Sequence, residues 1–211
     1  MAQIGVLLSG RGANFLAIAN AIERGEIPGA RIAAVLSNVD GAPGIKAAEA
    51  RGLHAATVAS LGRKRAEHDA EMVLRLRDAG ADLICLAGYM RLLSPGFVDA
   101  FPQKILNIHP SLLPAFPGLD AQRQALAYGV RVTGCTVHFV DKELDHGPIV
   151  LQRTVPVLDT DDEAVLSARI LEQEHEAYPQ AIARVLSGRY HFVDRRYVLR
   201  DLPAAAAQEA R

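Results

Sequence analysis

Three stretches constrain the fold of this chain most. Residues 3–9 (Gln-Ile-Gly-Val-Leu-Leu-Ser), 31–36 and 82–87 (Asp-Leu-Ile-Cys-Leu-Ala) are nearly continuous apolar runs of strand length. A strand with one wet face alternates, whereas a continuous apolar run needs cover on both faces. Between these runs the period changes from two to nearly four. Phe15, Ile18, Ala19 and Ile22 fall at helical spacing up to Arg24, and the pattern predicts helices over 44–51 and 65–79, with a short strand at 55–58. Strands and helices alternating at these lengths predict a parallel sheet with right-handed crossovers and helices on both sides. Ligands of such sheets lie beyond the carboxyl ends of the strands, where residues 10–14, 88–93 and 109–118 would gather.

The stretch 105–118 (Ile-Leu-Asn-Ile-His-Pro-Ser-Leu-Leu-Pro-Ala-Phe-Pro-Gly) begins as a strand and breaks at Pro110, and Pro114 and Pro117 hold the rest in an irregular, extended path. Asn107 and His109 are two apart, so both project from one strand face. That face carries an amide that donates and accepts beside a side chain that titrates near neutrality. A turn-capping pair accounts for these two residues equally well. Downstream, 134–140 alternates as a strand and 149–157 forms another, with Asp145 on the constrained turn between them, where it is placed to orient a histidine. The expected class is therefore α/β, a Rossmann-like three-layer fold whose parallel N-terminal strands continue into a mixed sheet.

Ser9-Gly10-Arg11-Gly12-Ala13-Asn14 joins the first strand to the first helix. Backbone amides at such a helix start can face an anion. The loop lacks the third glycine of a dinucleotide fingerprint and the Lys-Ser/Thr ending of a P-loop, and a tight turn with no ligand explains it as well. Residues 88–95 form a loop with bulky apolar groups and one arginine, readable as a ligand wall or as ordinary packing. Helices are expected over 96–101 and 119–128, the latter ended by Gly129. A long helix begins at an N-cap Thr160, with Glu163 at capping-box distance, and Pro179 should interrupt it. Residues 190–199 read as a terminal hairpin and 203–211 as an Ala-rich, frayed tail.

Charge excludes some classes. With 23 Lys+Arg against 24 Asp+Glu the net charge is −1, and the basic run Arg63-Lys64-Arg65 is too short to indicate nucleic-acid binding. No apolar run is long enough for a membrane span and Met1 leads almost directly into a strand, so a cytoplasmic protein is expected. Cys85 and Cys135 both lie in apolar runs and read as buried thiols. His-Glu-x-x-His and Cys-x-x-Cys are absent, so no metal is expected.

Asn-Ile-His-Pro-Ser-Leu-Leu-Pro, followed about thirty residues later by Gly-x-Thr-Val-His-Phe-Val-x-x-Glu-Leu-Asp-x-Gly-Pro-Ile, resembles the folate-dependent formyltransferases. Ser9-Gly10-x-Gly12-x-Asn14, Ala87-Gly88-Tyr89-Met90-Arg91 and Gln173-Glu174-His175 extend the likeness over residues 4–188. The resemblance is to the branch that takes a formyl group from 10-formyltetrahydrofolate and places it on the amine of glycinamide ribonucleotide in purine synthesis. It implies His109 as the proton-transferring group, Asn107 as the oxyanion donor and Asp145 as the residue that positions the histidine. On the ribonucleotide side it implies Gly12, Ala13 and Asn14 at the phosphate, with Leu171, Glu172, Gln173 and Glu174. On the folate side it implies Arg65, Met90, Arg91, Leu92, Leu93, Asn107, Asp141, Lys142, Glu143, Leu144 and Asp145. Ala13 stands where a serine is common, and His146 adds a titratable group beside Asp145.

Residues 1–189 are expected to form the catalytic domain and 190–211 a hairpin and tail of the same domain, as a monomer or homodimer acting on small molecules. Initiator-tRNA formyltransferases need a further C-terminal domain and formyltetrahydrofolate hydrolases an N-terminal regulatory one. Neither is expected in 211 residues with a strand from Gln3. A formyl hydrolase or a transferase for another amine is the alternative. More distant readings are a zinc hydrolase built on His109, His138 and Asp145, in which His138 reads as structural, and a non-catalytic nucleotide-binding protein.

Overall fold

The computed structural model describes residues 1–200, so the expected tail at 203–211 lies outside the described residues. The chain runs β1 (Ala2–Leu8), α1 (Ala13–Glu23), β2 (Ala30–Ser37), α2 (Pro43–Glu49), β3 (Ala55–Thr57), α3 (Arg65–Asp78), β4 (Leu83–Leu86), α4 (Pro95–Ala100) and β5 (Ile105–His109). It continues through α5 (Ala121–Tyr128), β6 (Val132–Phe139), β7 (Ile149–Pro156), α6 (Glu163–Leu186), β8 (Tyr190–Val193) and β9 (Arg196–Leu199).

Seven strands form one sheet in the order β3-β2-β1-β4-β5-β6-β7. The first five pair in parallel, while β6 runs antiparallel to both β5 and β7, which makes the sheet mixed. The chain moves outward from β1 to β3, then returns to the other side of β1 with β4. That reversal opens a crevice at the carboxyl ends of β1 and β4. Ser9 N donates to Gly88 O at 3.0 Å and Met90 N to Ser9 Oγ at 2.8 Å, which fixes the loops after β1 and β4 to each other.

Two apolar layers cover the sheet. On one side Phe15 and Ile18 of α1 and Leu166, Ile170, Tyr178 and Ile182 of α6 pack on Ile4, Val6, Cys85 and Leu106. On the other, Met72, Val73 and Leu76 of α3 and Phe97 of α4 pack on Leu7, Leu36, Ile84 and Ile105. Alternate residues of β1 and β4 enter opposite layers, which is why those strands read as unbroken apolar runs. Both cysteines are free and buried, and burial raises both thiols to about 12.

Three local expectations are corrected. The N-cap of α6 is Asp162, whose carboxylate accepts from Val165 N at 2.8 Å; Thr160 lies before the helix. Asp161 is held outside by Arg169 and by Leu158 N, so the next polar residue takes the cap. Pro179 does not interrupt α6, which runs unbroken through it to Leu186. A mid-helix proline costs about 3 kcal/mol, but Leu166, Ile170, Tyr178 and Ile182 are all fully buried, each worth about 1.5–3 kcal/mol. Finally, α5 starts at Ala121 and not at 119, because Asp120 takes a left-handed conformation (φ 58°) at the cap.

Candidate active site

Asn107 and His109 sit on β5, the first strand whose neighbour reverses direction. Antiparallel pairing sets Asn107 opposite His138 and His109 opposite Thr136. All four side chains therefore share one face. The Asn107 amide Nδ2 donates to His138 Nε2 at 3.2 Å, and His138 Nδ1 donates to Phe139 O at 2.8 Å. The second bond fixes the tautomer, leaving Nε2 as the acceptor. His138 is 2% exposed, and burial pushes its imidazole toward the neutral form, partly offset by the Phe139 carbonyl and Asp145.

Asp145 lies on the turn between β6 and β7 in the left-handed region (φ 50°). One carboxylate oxygen stands 3.4 Å from His109 Nδ1 and accepts from Gly118 N at 2.8 Å; the other is 3.8 Å from His138 Nε2. His109 Nε2 donates to Phe116 O at 2.9 Å, so residues 110–118 wrap the imidazole. That wrap is anchored below. Thr136 Oγ1 donates to Ser111 O and accepts from Leu113 N, and Gln152 Nε2 donates to Leu113 O. A neutral amide, two imidazoles and a carboxylate thus converge at the end of β5. They offer fixed N–H donors and a group able to move a proton.

The second cluster lies at the start of α1. Gly12 caps the helix with φ 75°, and a Cβ there would meet Gly44 Cα and Leu8 Cδ2 at 3.2 Å, so the turn packs directly on α2. No side chain caps α1, which leaves its first backbone N–H groups to solvent or an anion. Asn14 Nδ2 donates to Glu174 Oε2 at 2.7 Å across 160 residues, while Asn14 Oδ1 is buried without a partner among the described residues. Burial raises the Glu174 carboxyl above the ordinary range, against the lowering effect of the Asn14 bond. The alpha helix places Gln173 elsewhere: it accepts from Arg153 on β7. Leu171 is half-buried and Glu172 exposed on the preceding turn.

A third group is the wall formed by the loop after β4, with Leu144 on the turn after β6. Met90, Leu92 and Leu144 are 74%, 56% and 54% exposed, so each presents apolar surface to solvent or a ligand. Arg91 donates to Arg63 O at 3.3 Å and Leu93 is half-buried. Below this wall, His68 and Asp69 are buried together, and Asp69 Oδ2 accepts from Ser94 N at 2.6 Å, fixing where the wall ends and α4 begins. Asp141, Lys142 and Glu143 edge a cleft of about 500 Å³ floored by Val98, Phe139, Val140 and Phe192. Arg65 opens α3 as an exposed residue, and among the described residues no hydrogen bond or ion pair ties its side chain to this region.

His138 reads as structural on its own strand, and it is also the acceptor that holds Asn107. Its face was readable, but its place beside Asn107 follows from the β5–β6 register, which neither strand's own pattern contains. His109, His138 and Asp145 do converge, but their ring nitrogens are turned to Phe116 O, Phe139 O and Asn107. Among the described residues no three such groups are arranged to hold a metal ion.

Comparison with known proteins shows the family. The sequence profile of the formyl transferase family (Formyl transferase) matches residues 2–182. The chain is 43% identical over 188 residues to the phosphoribosylglycinamide formyltransferase of Escherichia coli K12, covering 89% of this chain and 88% of that one. It is 44% identical over 188 residues to the human trifunctional purine biosynthetic protein adenosine-3, covering 89% of this chain but only 18% of that protein's length. In three dimensions it is similar to glycinamide ribonucleotide transformylase 1 from Symbiobacterium toebii, with a TM-score of 0.92 and 49% identity over 95% of both chains. A family profile spanning nearly the whole chain, over a sheet and a polar cluster of this geometry, leaves one assignment: the chain belongs to the formyl transferase family.

Proposed function

We propose that this chain transfers a formyl group from 10-formyltetrahydrofolate to the amine of 5-phosphoribosylglycinamide, giving the N-formyl product and tetrahydrofolate in purine synthesis. The convergence of Asn107, His109 and Asp145 carries this reading, and the activities of the E. coli and S. toebii relatives support its substrate.

The amine attacks the formyl carbon, a C–N bond forms, and the carbonyl electrons move onto oxygen. The Asn107 amide gives one N–H to His138, so its other N–H is free for that oxyanion. The attacking nitrogen then sheds a proton and the folate N10 takes one as its bond to carbon breaks. His109 moves that proton, directly or through water, once Nε2 exchanges the Phe116 carbonyl for the reacting groups. Asp145 faces Nδ1 at 3.4 Å, where it orients the ring and stabilises the imidazolium.

For the ribonucleotide, the phosphate fits the uncapped amides at Gly12, Ala13 and Asn14. These are backbone donors, so Ala13 serves without a hydroxyl. Glu174 and the unpartnered Asn14 Oδ1 offer acceptors for ribose hydroxyls. For the folate, resemblance assigns Met90, Arg91, Leu92 and Leu93 together with Asp141, Lys142, Glu143, Leu144 and Asp145, and the exposed Met90, Leu92 and Leu144 offer apolar surface to a flat heteroaromatic ring. Arg65, Leu171 and Glu172 are assigned to the folate and ribonucleotide sides by resemblance alone. The chemistry requires small-molecule substrates and no metal. Among the described residues no helix is long and apolar enough to cross a membrane.

Appearance of deformylated folate, followed spectroscopically with and without glycinamide ribonucleotide, tests the reading. Turnover that needs the acceptor is expected. Turnover without it would identify a hydrolase, and none with it would sink the assignment.

A further inference from the structure

The turn carrying Asp145 is held from outside by residues that the proposed reaction does not use. His146 Nδ1 donates to Asp141 Oδ2 at 2.9 Å, and His146 Nε2 accepts from Arg195 Nη1 at 2.8 Å. The other Arg195 nitrogen, Nη2, donates to the His146 carbonyl. Asp141 Oδ1 in turn accepts from Glu143 N at 2.9 Å, closing the 141–143 turn on itself. Hydrogen bonds therefore run unbroken from the tip of the β8–β9 hairpin, through an imidazole, into the loop that ends at Asp145. Three charged groups face the imidazole: Asp141, Arg195 and Glu143, the last with Oε2 3.9 Å from Nδ1.

This clasp has a firm base. Phe192 of β8 and Tyr197 of β9 pack edge-on against Phe139, with centroids 5.0 and 5.2 Å away. Phe139 is the last residue of β6, two before Asp141. At the other end of the loop a Cβ on Gly147 would stand 1.9 Å from Phe139 O, so the loop closes directly on the strand it left. Loop and hairpin share one anchor, and Arg195 spans the gap between their tips. On the far side, Lys142–Asp99 (2.8 Å) ties the loop to α4 between side chains more than half exposed, where such a pair is weak.

We propose that Arg195, acting through His146, is a positioning residue for the 141–145 loop: it holds the folate side of the crevice formed, with the Asp145 carboxylate turned toward His109. The inference rests on the functional reading above. A guanidinium with two acceptors on one residue fixes both the imidazole plane and the backbone beneath it, which a lone surface ion pair does not. Neither Arg195 nor His146 reaches the reacting atoms. The effect is on folate, not on the ribonucleotide cluster at Asn14 and Glu174.

Steady-state kinetics of Arg195→Ala, His146→Ala and the double variant test it, with melting temperatures alongside. Each single variant should raise the KM for formyl folate roughly three- to tenfold, the net scale of one intramolecular hydrogen bond, and leave the ribonucleotide KM unchanged. The double variant should be no worse than the worse single one, because both break the same chain of bonds. His146→Asn, which keeps a donor and an acceptor, should recover part of the loss. Unchanged folate KM in both single variants would overturn the proposal. So would a double effect equal to the product of the two, or a parallel rise in both KM values. If the wild-type protein itself transfers no formyl group, the functional reading fails, and the same comparison is then made on folate affinity by titration.

Discussion

Replacing His138 separates its two consequences, one for catalysis and one for stability. His138→Phe keeps an aromatic ring in the buried space but removes the acceptor of the 3.2 Å bond from Asn107. One amide N–H is then left without a partner, and the amide is free to turn. An unmade hydrogen bond at a buried group costs about 1–3 kcal/mol of stability. Removing an oxyanion donor outright costs about 10²–10³ in kcat, so releasing one that can still swing into place should cost roughly 10–100-fold. His138→Gln restores an acceptor and should recover most of the rate.

The pH dependence gives a second readout. Burial lowers the native imidazole pKa, so the native protein resists the proton that the unfolded chain accepts below about pH 6.5. The unfolded state therefore binds more protons in that window, and stability falls as pH falls, by up to about 1.4 kcal/mol per pH unit. Above pH 6.5 neither state holds the proton and the penalty vanishes. Urea unfolding at pH 7.5, 6.5 and 5.5 measures this. Both variants lack the titrating ring, so their loss between pH 6.5 and 5.5 should be smaller than that of wild type, by up to about 1 kcal/mol. If wild type and both variants lose stability in parallel, and His138→Phe keeps full turnover, His138 is neither a buried neutral acceptor nor the holder of Asn107.

Three further outcomes follow from the same geometry. His109→Ala should lower kcat roughly 10²–10⁴-fold with little change in either substrate's affinity, measured by rapid kinetics and titration. Gly12→Val forces a branched side chain to φ 75° against Gly44 and Leu8, so calorimetry should show weakened ribonucleotide and unaffected folate; an equal loss of both would mean a damaged fold. Glu174 has a raised native pKa, so its contribution is fully present below the unfolded value of about 4.3 and is lost as pH rises through the native one. Glu174→Gln should therefore raise the melting temperature at pH 7–8 while weakening the ribonucleotide.

What the sequence revealed depended on how far apart the interacting residues lie. The apolar runs of β1, β2 and β4 carry their own burial, so the parallel half of the sheet was legible from period alone. Strand faces were legible too, which put Asn107 and His109 together before any fold was known. The cap of α6 was not, because 160–162 are three consecutive polar residues that can each cap a helix, and the choice is made by Arg169, eight residues past Asp161. Nor was the passage through Pro179, where local propensity opposes the helix and only the buried neighbours of Tyr178 outweigh it.

The site divides along the same line, with one instructive exception. Asn14 and Glu174 meet across 160 residues, yet resemblance put both on the ribonucleotide side, because each sits in a motif of its own. Resemblance supplies such long-range pairs as finished parts. It gave no role to His138 beside Asn107, 31 residues away, or to Arg195 on His146, 49 away. His138 was part of the motif but looked structural on its own strand, and Arg195 belonged to no motif. His138 lies one hydrogen bond behind Asn107, and Arg195 lies two behind Asp141 on the folate-side loop. A motif names the groups that touch the substrate, while what holds those groups still is set by strand register and by where a hairpin tip comes to rest. Those are properties of the assembled sheet, and a pattern within any one segment does not encode them.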